Sequence, residues 1–172
     1  MITIREAKPA DFANVARMHY PVWRRSWSGM LADDLLDVLG SPKRWATETY
    51  PHDLSRPGWS MWIAERDGDP LGMTIFGPDA LNPDDLQIDA LYTAEASQRL
   101  GIGGRLLDEA VRADPPGDVI LWCAENNVKA REFYEHRNFR LDGRTFVWKP
   151  LPGVPVPHVG YRLPRSARLR RR

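Results

Sequence analysis

The chain opens on a short alternation of apolar and polar residues, Ile2 to Arg5, that reads as a strand. Pro9, Ala10 and Asp11 then start a helix, with Phe12, Val15, Ala16, Met18 and His19 at helical spacing. Pro21 is expected to disturb it. Trp23 and Trp27 follow four residues apart. Leu35, Leu36 and Leu39 put a second helix over Ala32 to Leu39, with Gly40 as its stop. From Ser41 to Gly58 neither period dominates. Ser60 to Glu65 and Leu71 to Phe76 flank the turn signal ERDGDP and make a hairpin. After Gly77-Pro78 and Asn82-Pro83, Leu86 to Thr93 is a further strand. Ile102, Leu106, Leu107, Ala110 and Val111 return to helical spacing, and Asp114-Pro115-Pro116-Gly117 closes that helix. Val119 to Ala124 is an unbroken apolar run suited to a buried strand. Val128 to Arg137 is a helix with Ala130, Phe133 and Tyr134 on one face. Phe139 to Trp148 and Pro157 to Leu163 are the last strands, parted by the rigid loop LPGVPVP. The order β-α-α-β-β-β-α-β-α-β-β, with its early meander, excludes a simple doubly wound sheet and gives an α+β fold with a mixed sheet.

Composition narrows the function classes. At 172 residues, 42% hydrophobic and 27% charged, the chain is an ordinary globular domain. Its net charge of +1 makes a nucleic-acid partner unlikely on electrostatic grounds. The single cysteine, Cys123, cannot form a disulfide within the chain and suits a reducing compartment. With neither a signal-peptide pattern nor a membrane-length apolar run, the expectation is a cytoplasmic protein with no membrane partner.

The chemistry begins at SQRLGIGGRLLDEAV, Ser97 to Val111, where Gly101, Gly103 and Gly104 lead a helix. Glycine costs a helix roughly 0.8–1 kcal/mol per interior position, so a compensating ligand contact, most often with a phosphate, is expected. The string is not a Walker loop, which needs Gly-Lys-Ser/Thr. Nor is it a dinucleotide fingerprint, whose third glycine would fall on Leu106. It does fit Q/R-x-x-G-x-G/A, as Gln98-Arg99-Leu100-Gly101-Ile102-Gly103. With NVKAREFYEHRNF, Asn127 to Phe139, one strand later, the chain resembles the GCN5-related N-acetyltransferases from Ile2 to about Leu163. That family has N-x-x-A-x-x-F-Y-E-x-x-G-F at this place, and Asn138 stands where its glycine is usual. Asn is the next best residue for a left-handed cap, so the turn is expected to survive.

The resemblance implies a mixed, mostly antiparallel central sheet flanked by helices, as one domain over 1–164 with a basic tail over 165–172. It implies acetyl-CoA as cosubstrate and no metal. Main-chain groups of Leu91, Tyr92 and Thr93 would pair with the pantetheine arm, and Gln98, Arg99, Leu100, Gly101, Ile102, Gly103 and Gly104 would cradle the pyrophosphate. Asn127 would cap its helix and touch the same arm. The Leu91 N–H would be the oxyanion donor, and Tyr134 would give a proton to the departing thiolate. Some family members place a basic glutamate in the central strand; here that position is Gln87. Asp85 and Asp89 share its face by period two, and Asp89 is the candidate base, with a structural partnership to an arginine as its alternative. The acceptor expected first is a small-molecule amine. A protein N-terminus or lysine comes second, and a catalytically inactive acyl-CoA-binding or regulatory protein is the non-enzyme reading. Family members often dimerise through late strands, which adds a homodimer to the expectations.

Other residues read as structural. Cys123 is a buried thiol, and His19, His52, His136 and His158 lack the spacing of metal ligands. Trp23, Trp27, Trp59 and Trp62 are core or rim residues before they are an acceptor pocket. Asp33, Asp34 and Asp37 read as a solvated helix face, and the terminal ARLRRR as a solvated tail.

Overall fold

A computed structural model describes residues 1–169; Arg170 to Arg172, the end of the basic tail, lie outside the described residues. Its seven strands are β1 (Thr3–Glu6), β2 (Ser60–Arg66), β3 (Asp69–Pro78), β4 (Leu86–Thr93), β5 (Val119–Ala124), β6 (Arg140–Trp148) and β7 (Val156–Leu163). They form one sheet in the order β1-β2-β3-β4-β5-β7-β6. All neighbours are antiparallel except β4 and β5. The expected mixed, mostly antiparallel sheet is therefore present.

The helices lie on both faces. The first, α1 (Phe12–Trp27), turns Phe12, Val15, Ala16, His19 and Trp23 inward. With α2 (Asp33–Leu39) it covers Met61, Ile63, Met73 and Ile75 of the first strands. On the other face, α5 (Ile102–Arg112) and α6 (Val128–His136) bury Leu107, Ala110 and Tyr134 against Ile88, Val119, Leu121 and Tyr161. Between the two layers the alternation of each strand supplies both cores.

Three features differ from the sequence reading. Pro21 lies inside α1 without ending it. The turns on either side are held by rings: before it His19 packs on Trp45 at 4.6 Å, and after it Trp23 packs edge-on against Trp45 at 5.2 Å and Trp27 meets Trp148 at 5.1 Å. Second, the segment that showed no period is helical. It runs as α3 (Pro42–Arg44), a π turn (Trp45–Thr49) and α4 (Tyr50–Leu54). The π turn puts the two buried residues of this stretch, Trp45 at its own start and Tyr50 at the start of α4, five apart, which no 3.6-residue count detects. Third, the basic tail does not begin in solvent. A short helix, α7 (Arg165–Leu169), brings in Arg168, only 6% exposed, to donate to the carbonyls of Pro115 (3.0 Å) and Gly117.

His19 is a buried ionisable group of the N-terminal layer. Its Nδ1 meets the Tyr50 hydroxyl at 2.9 Å, and its ring lies between Trp45 (4.6 Å) and Tyr92 (4.3 Å). Its Nε2 is buried with no hydrogen-bond partner among the described residues. Burial lowers its pKa from 6.5 to about 3. The unfolded chain thus binds a proton that the folded one refuses, and stability is lost as pH falls below about 6.5. Urea unfolding at pH 7.5 and 5.0 is expected to show wild type losing about 2 kcal/mol more than His19→Phe over that interval. Equal losses would contradict the buried, neutral imidazole.

Candidate active site

β4 and β5 pair in parallel for only three residues, Leu86 with Val119, Gln87 with Ile120 and Ile88 with Leu121. Beyond Ile88 they part. Opposite β3, the register slips between Ile75 and Phe76, so that Ile88 and Ala90 face adjacent residues and Asp89 is the extra, bulged residue of β4. The Ala94 N–H donates to the Leu71 carbonyl at 2.8 Å while Thr93 lies opposite Gly72. By the alternation of an antiparallel ladder, Tyr92 then turns its N–H and C=O towards β3. Leu91 and Thr93 turn theirs to the side from which β5 has moved away. The result is a wedge with one open strand edge, facing the start of α5.

At that start the backbone passes through two left-handed residues, Arg99 (φ 66°) and Gly101 (φ 73°). The Arg105 N–H closes the first helical bond on the Gly101 carbonyl. This leaves the N–H groups of Gly101, Ile102, Gly103 and Gly104 as the free turn of the helix, at its positive end. The three glycines differ. Gly101 supplies the left-handed cap and faces open space. A Cβ added at Gly103 would stand at ordinary contact distance from Phe133 (3.5 Å) and Thr93 (3.6 Å), at the edge of the wedge. At Gly104 a methyl would collide with the Arg137 guanidinium. Gln98 is anchored to α6 by Lys129, whose Nζ donates to its Oε1 at 2.8 Å.

α6 forms the other wall. Asn127 caps it by accepting from the Ala130 N–H at 3.2 Å, and Asn138, with φ 68°, makes the left-handed turn after it. Tyr134 is 9% exposed, edge-on to Phe133 (5.2 Å) and Phe139 (5.7 Å). Its phenol senses both Cys123 on β5 and Tyr92 on β4, so it lies where the two strands diverge. Burial pushes that phenol well above the ordinary tyrosine value; the Cys123 and Tyr92 groups add to the shift. The same burial raises Cys123 to about 11 and Tyr92 to about 12. Cys123 is 5% exposed, a buried thiol as expected.

The carboxylates differ from the period-two reading. Asp85 does not share the surface of Gln87. It is 5% exposed at the far end of β4, accepts from the Asp118 N–H at 2.7 Å and pairs with Arg162 at 3.0 Å. Burial alone would raise it; those two partners hold it below its ordinary value. It pins β5 and β7 together and takes no part in the wedge. Asp85 precedes β4 and belongs to the turn before it, where its N–H donates to the Asn82 carbonyl at 2.9 Å, so the strand's period of two does not reach it. Asp89 remains beside Gln87, which donates to it at 2.5 Å, and it also pairs with Arg56 at 3.2 Å. Arg56 lies over the Trp59 ring at 3.5 Å and approaches Asp53 at 3.8 Å. Burial raises Asp53, Arg56 opposes that shift, and the Asp89 charge adds to it. Asp53 and Arg56 sit at the end of the helical stretch that has no readable period, and no motif in the sequence marks them. Trp59 lies flat on Gly77, whose lack of a side chain makes the room.

A strand edge with free backbone groups, leading to a helix start with free N–H groups, fits an extended chain ending in phosphates. Beside the divergence stands Tyr134, a buried phenol held protonated. Comparisons with known proteins agree. The acetyltransferase (GNAT) family model matches residues 23–139. The probable N-acetyltransferase Rv2775 of Mycobacterium tuberculosis is 66% identical over 166 residues, 96% of this chain and 95% of its own. The uncharacterized N-acetyltransferase YuaI of Bacillus subtilis is 25% identical over 99% of this chain and 97% of its own. Among solved structures, the PaiA N-acetyltransferase of Thermoplasma acidophilum in complex with coenzyme A superposes with a TM-score of 0.73. It has 16% identity, over 92% of this chain and 98% of that one. The chain belongs to the GNAT family of N-acetyltransferases.

Gly101→Ala tests the cap. Alanine in the left-handed region is strained, and a loss of about 1 kcal/mol in denaturant unfolding is expected. Unchanged stability would mean that the loop relaxes into another turn.

Proposed function

We propose that this protein moves the acetyl group of acetyl-CoA directly to the primary amine of a small molecule. The observation that carries this reading is the open edge of β4, with Leu91 and Thr93 facing the wedge beside the free first turn of α5. In this reading the main chain of Leu91 to Thr93 replaces the missing strand partner for the pantetheine amides, a form of strand addition by a ligand. The α5 turn, Gln98 to Gly104, takes the pyrophosphate. Asn127 orients the arm from the α6 side.

Each chemical step has a resident group. The Leu91 N–H donates to the thioester oxygen as negative charge develops there. The amine nitrogen attacks the carbonyl carbon, the new C–N bond forms and the C–S bond breaks. Tyr134 protonates the departing sulfur and recovers its proton from solvent. Its raised pKa keeps it protonated, and so competent as an acid, throughout the neutral range. Asp89 takes the proton that the amine loses, with Asp53 across Arg56 as a second carboxylate held nearby. These carboxylates also attract a cationic amine. The compact cluster of Asp53, Arg56, Trp59, Gln87 and Asp89 suits a small head group better than an extended peptide.

Calorimetric titration with acetyl-CoA, using ATP and NAD as controls, tests the reading. Micromolar binding specific to acetyl-CoA and lost in Gly103→Glu is expected, followed by thiol release with members of an amine panel. Tyr134→Phe is expected to lower kcat by about 100-fold or more, within the usual range of a general acid. Wild-type kcat should show no loss from tyrosine ionisation below about pH 10. Unchanged turnover in Tyr134→Phe would remove that residue from the mechanism, and no acetyl-CoA binding would reduce the likeness to one of fold.

A further inference from the structure

Gly104 is the fourth residue of the free turn, and it is buried. Alanine would be the better helix former there, so the glycine needs a reason. The reason is Arg137. This residue follows the last turn of α6, and its Nη2 occupies the space that a side chain at 104 would need. A cation at a helix start opposes the helix dipole, which puts partial positive charge at that end. The surroundings add to the conflict: Arg99 and Arg105 lie in the same loop and turn, and Lys129 is bonded to Gln98. Asp108, one turn along α5, is the carboxylate that meets Arg137, at 3.5 Å and with 43% of its own side chain exposed. One partly solvated carboxylate offsets little of this charge. A bound polyanion would offset all of it.

Resting on the acyl-CoA reading above, we propose that Arg137 is a phosphate-binding residue of the coenzyme site. Gly104 holds its guanidinium against the first turn of α5, where it closes on a phosphate together with the free N–H groups. A guanidinium donates two parallel hydrogen bonds to a phosphate, which a lysine cannot reproduce. The phosphate belongs either to the pyrophosphate or to the 3′-phosphate of the ribose, and dephospho-CoA separates the two.

The experiment is calorimetric titration of the full chain with CoA and with dephospho-CoA, accompanied by thermal melts. Arg137→Ala is expected to raise the Kd for CoA about 10- to 100-fold, the range for a charge-assisted hydrogen bond. Arg137→Lys should recover only part of it. Gly104→Ala should keep or raise the melting temperature, displace Arg137, and weaken CoA in the same way. Combined with Arg137→Ala it should add nothing further. Loss with both ligands assigns the pyrophosphate; loss with CoA alone assigns the 3′-phosphate. Asp108→Ala should tighten CoA binding, because the competing carboxylate is gone. CoA affinity in Arg137→Ala within twofold of wild type, with a lowered melting temperature, would overturn the proposal and leave Arg137 as a helix-to-helix tie. Failure of wild type to bind CoA at all would instead overturn the acyl-CoA reading on which it rests.

Discussion

The structure turns on how briefly β4 and β5 stay together. Three paired residues join them, and then the strands separate while each remains bound to its other neighbour. A sheet interior does not normally leave backbone groups unpaired, because each one costs free energy when it is buried. Here the cost is met by placing the edge in a cleft. The Asp89 bulge bends β4 at the separation point. On the other side β7, inserted between β5 and β6, holds β5 along its full length, from Val119 with Leu163 to Ala124 with His158. Asp85 and Arg162 fasten the joined end, so that the opening is confined to the other. The location of Tyr134, the exposed main chain of Leu91 and Thr93 and the approach of α5 all follow from that one divergence.

The two faces of the sheet divide the work. The α5–α6 face carries the groups proposed to receive the acyl-CoA: glycines, free N–H groups, cations and a protonated phenol. The α1–α4 face is built from rings, with His19, Trp23, Trp45, Tyr50 and Tyr92 in mutual contact. At its margin stand Asp53, Arg56, Trp59 and Asp89. The buried Arg168 belongs to neither. It locks the turn after α5 through the carbonyls of Pro115 and Gly117, and so fixes the helix that the glycine loop opens.

Much of the first face was legible in the sequence, because its chemistry is local. Glycines at a helix start, an asparagine cap and a Phe-Tyr pair on one helical face are patterns of a few residues. The second face was less legible for physical reasons. A π turn replaces the 3.6-residue period with a five-residue step, which hid the helix carrying Asp53. Asp85 stands one residue before β4, in a turn closed on the Asn82 carbonyl, so the period of two that groups it with Asp89 does not apply to it. Pro21 is overridden by tertiary ring packing on both sides. Arg168 reads as a solvated charge because its burial depends on carbonyls some fifty residues away. Gly104 shows the same limit within a readable motif: its neighbour Arg137 lies on another helix, and no local spacing joins them.

The proposed mechanism depends on the donor lying along the parted edge of β4. Amide hydrogen exchange at Leu91 and Thr93, with and without saturating acetyl-CoA, addresses it at the bonds themselves. Both amides are expected to exchange much more slowly with the ligand bound, while Tyr92, already paired with β3, does not change. Unaltered exchange at Leu91 and Thr93 in a protein that binds acetyl-CoA would contradict it, and would place the donor elsewhere than in the wedge.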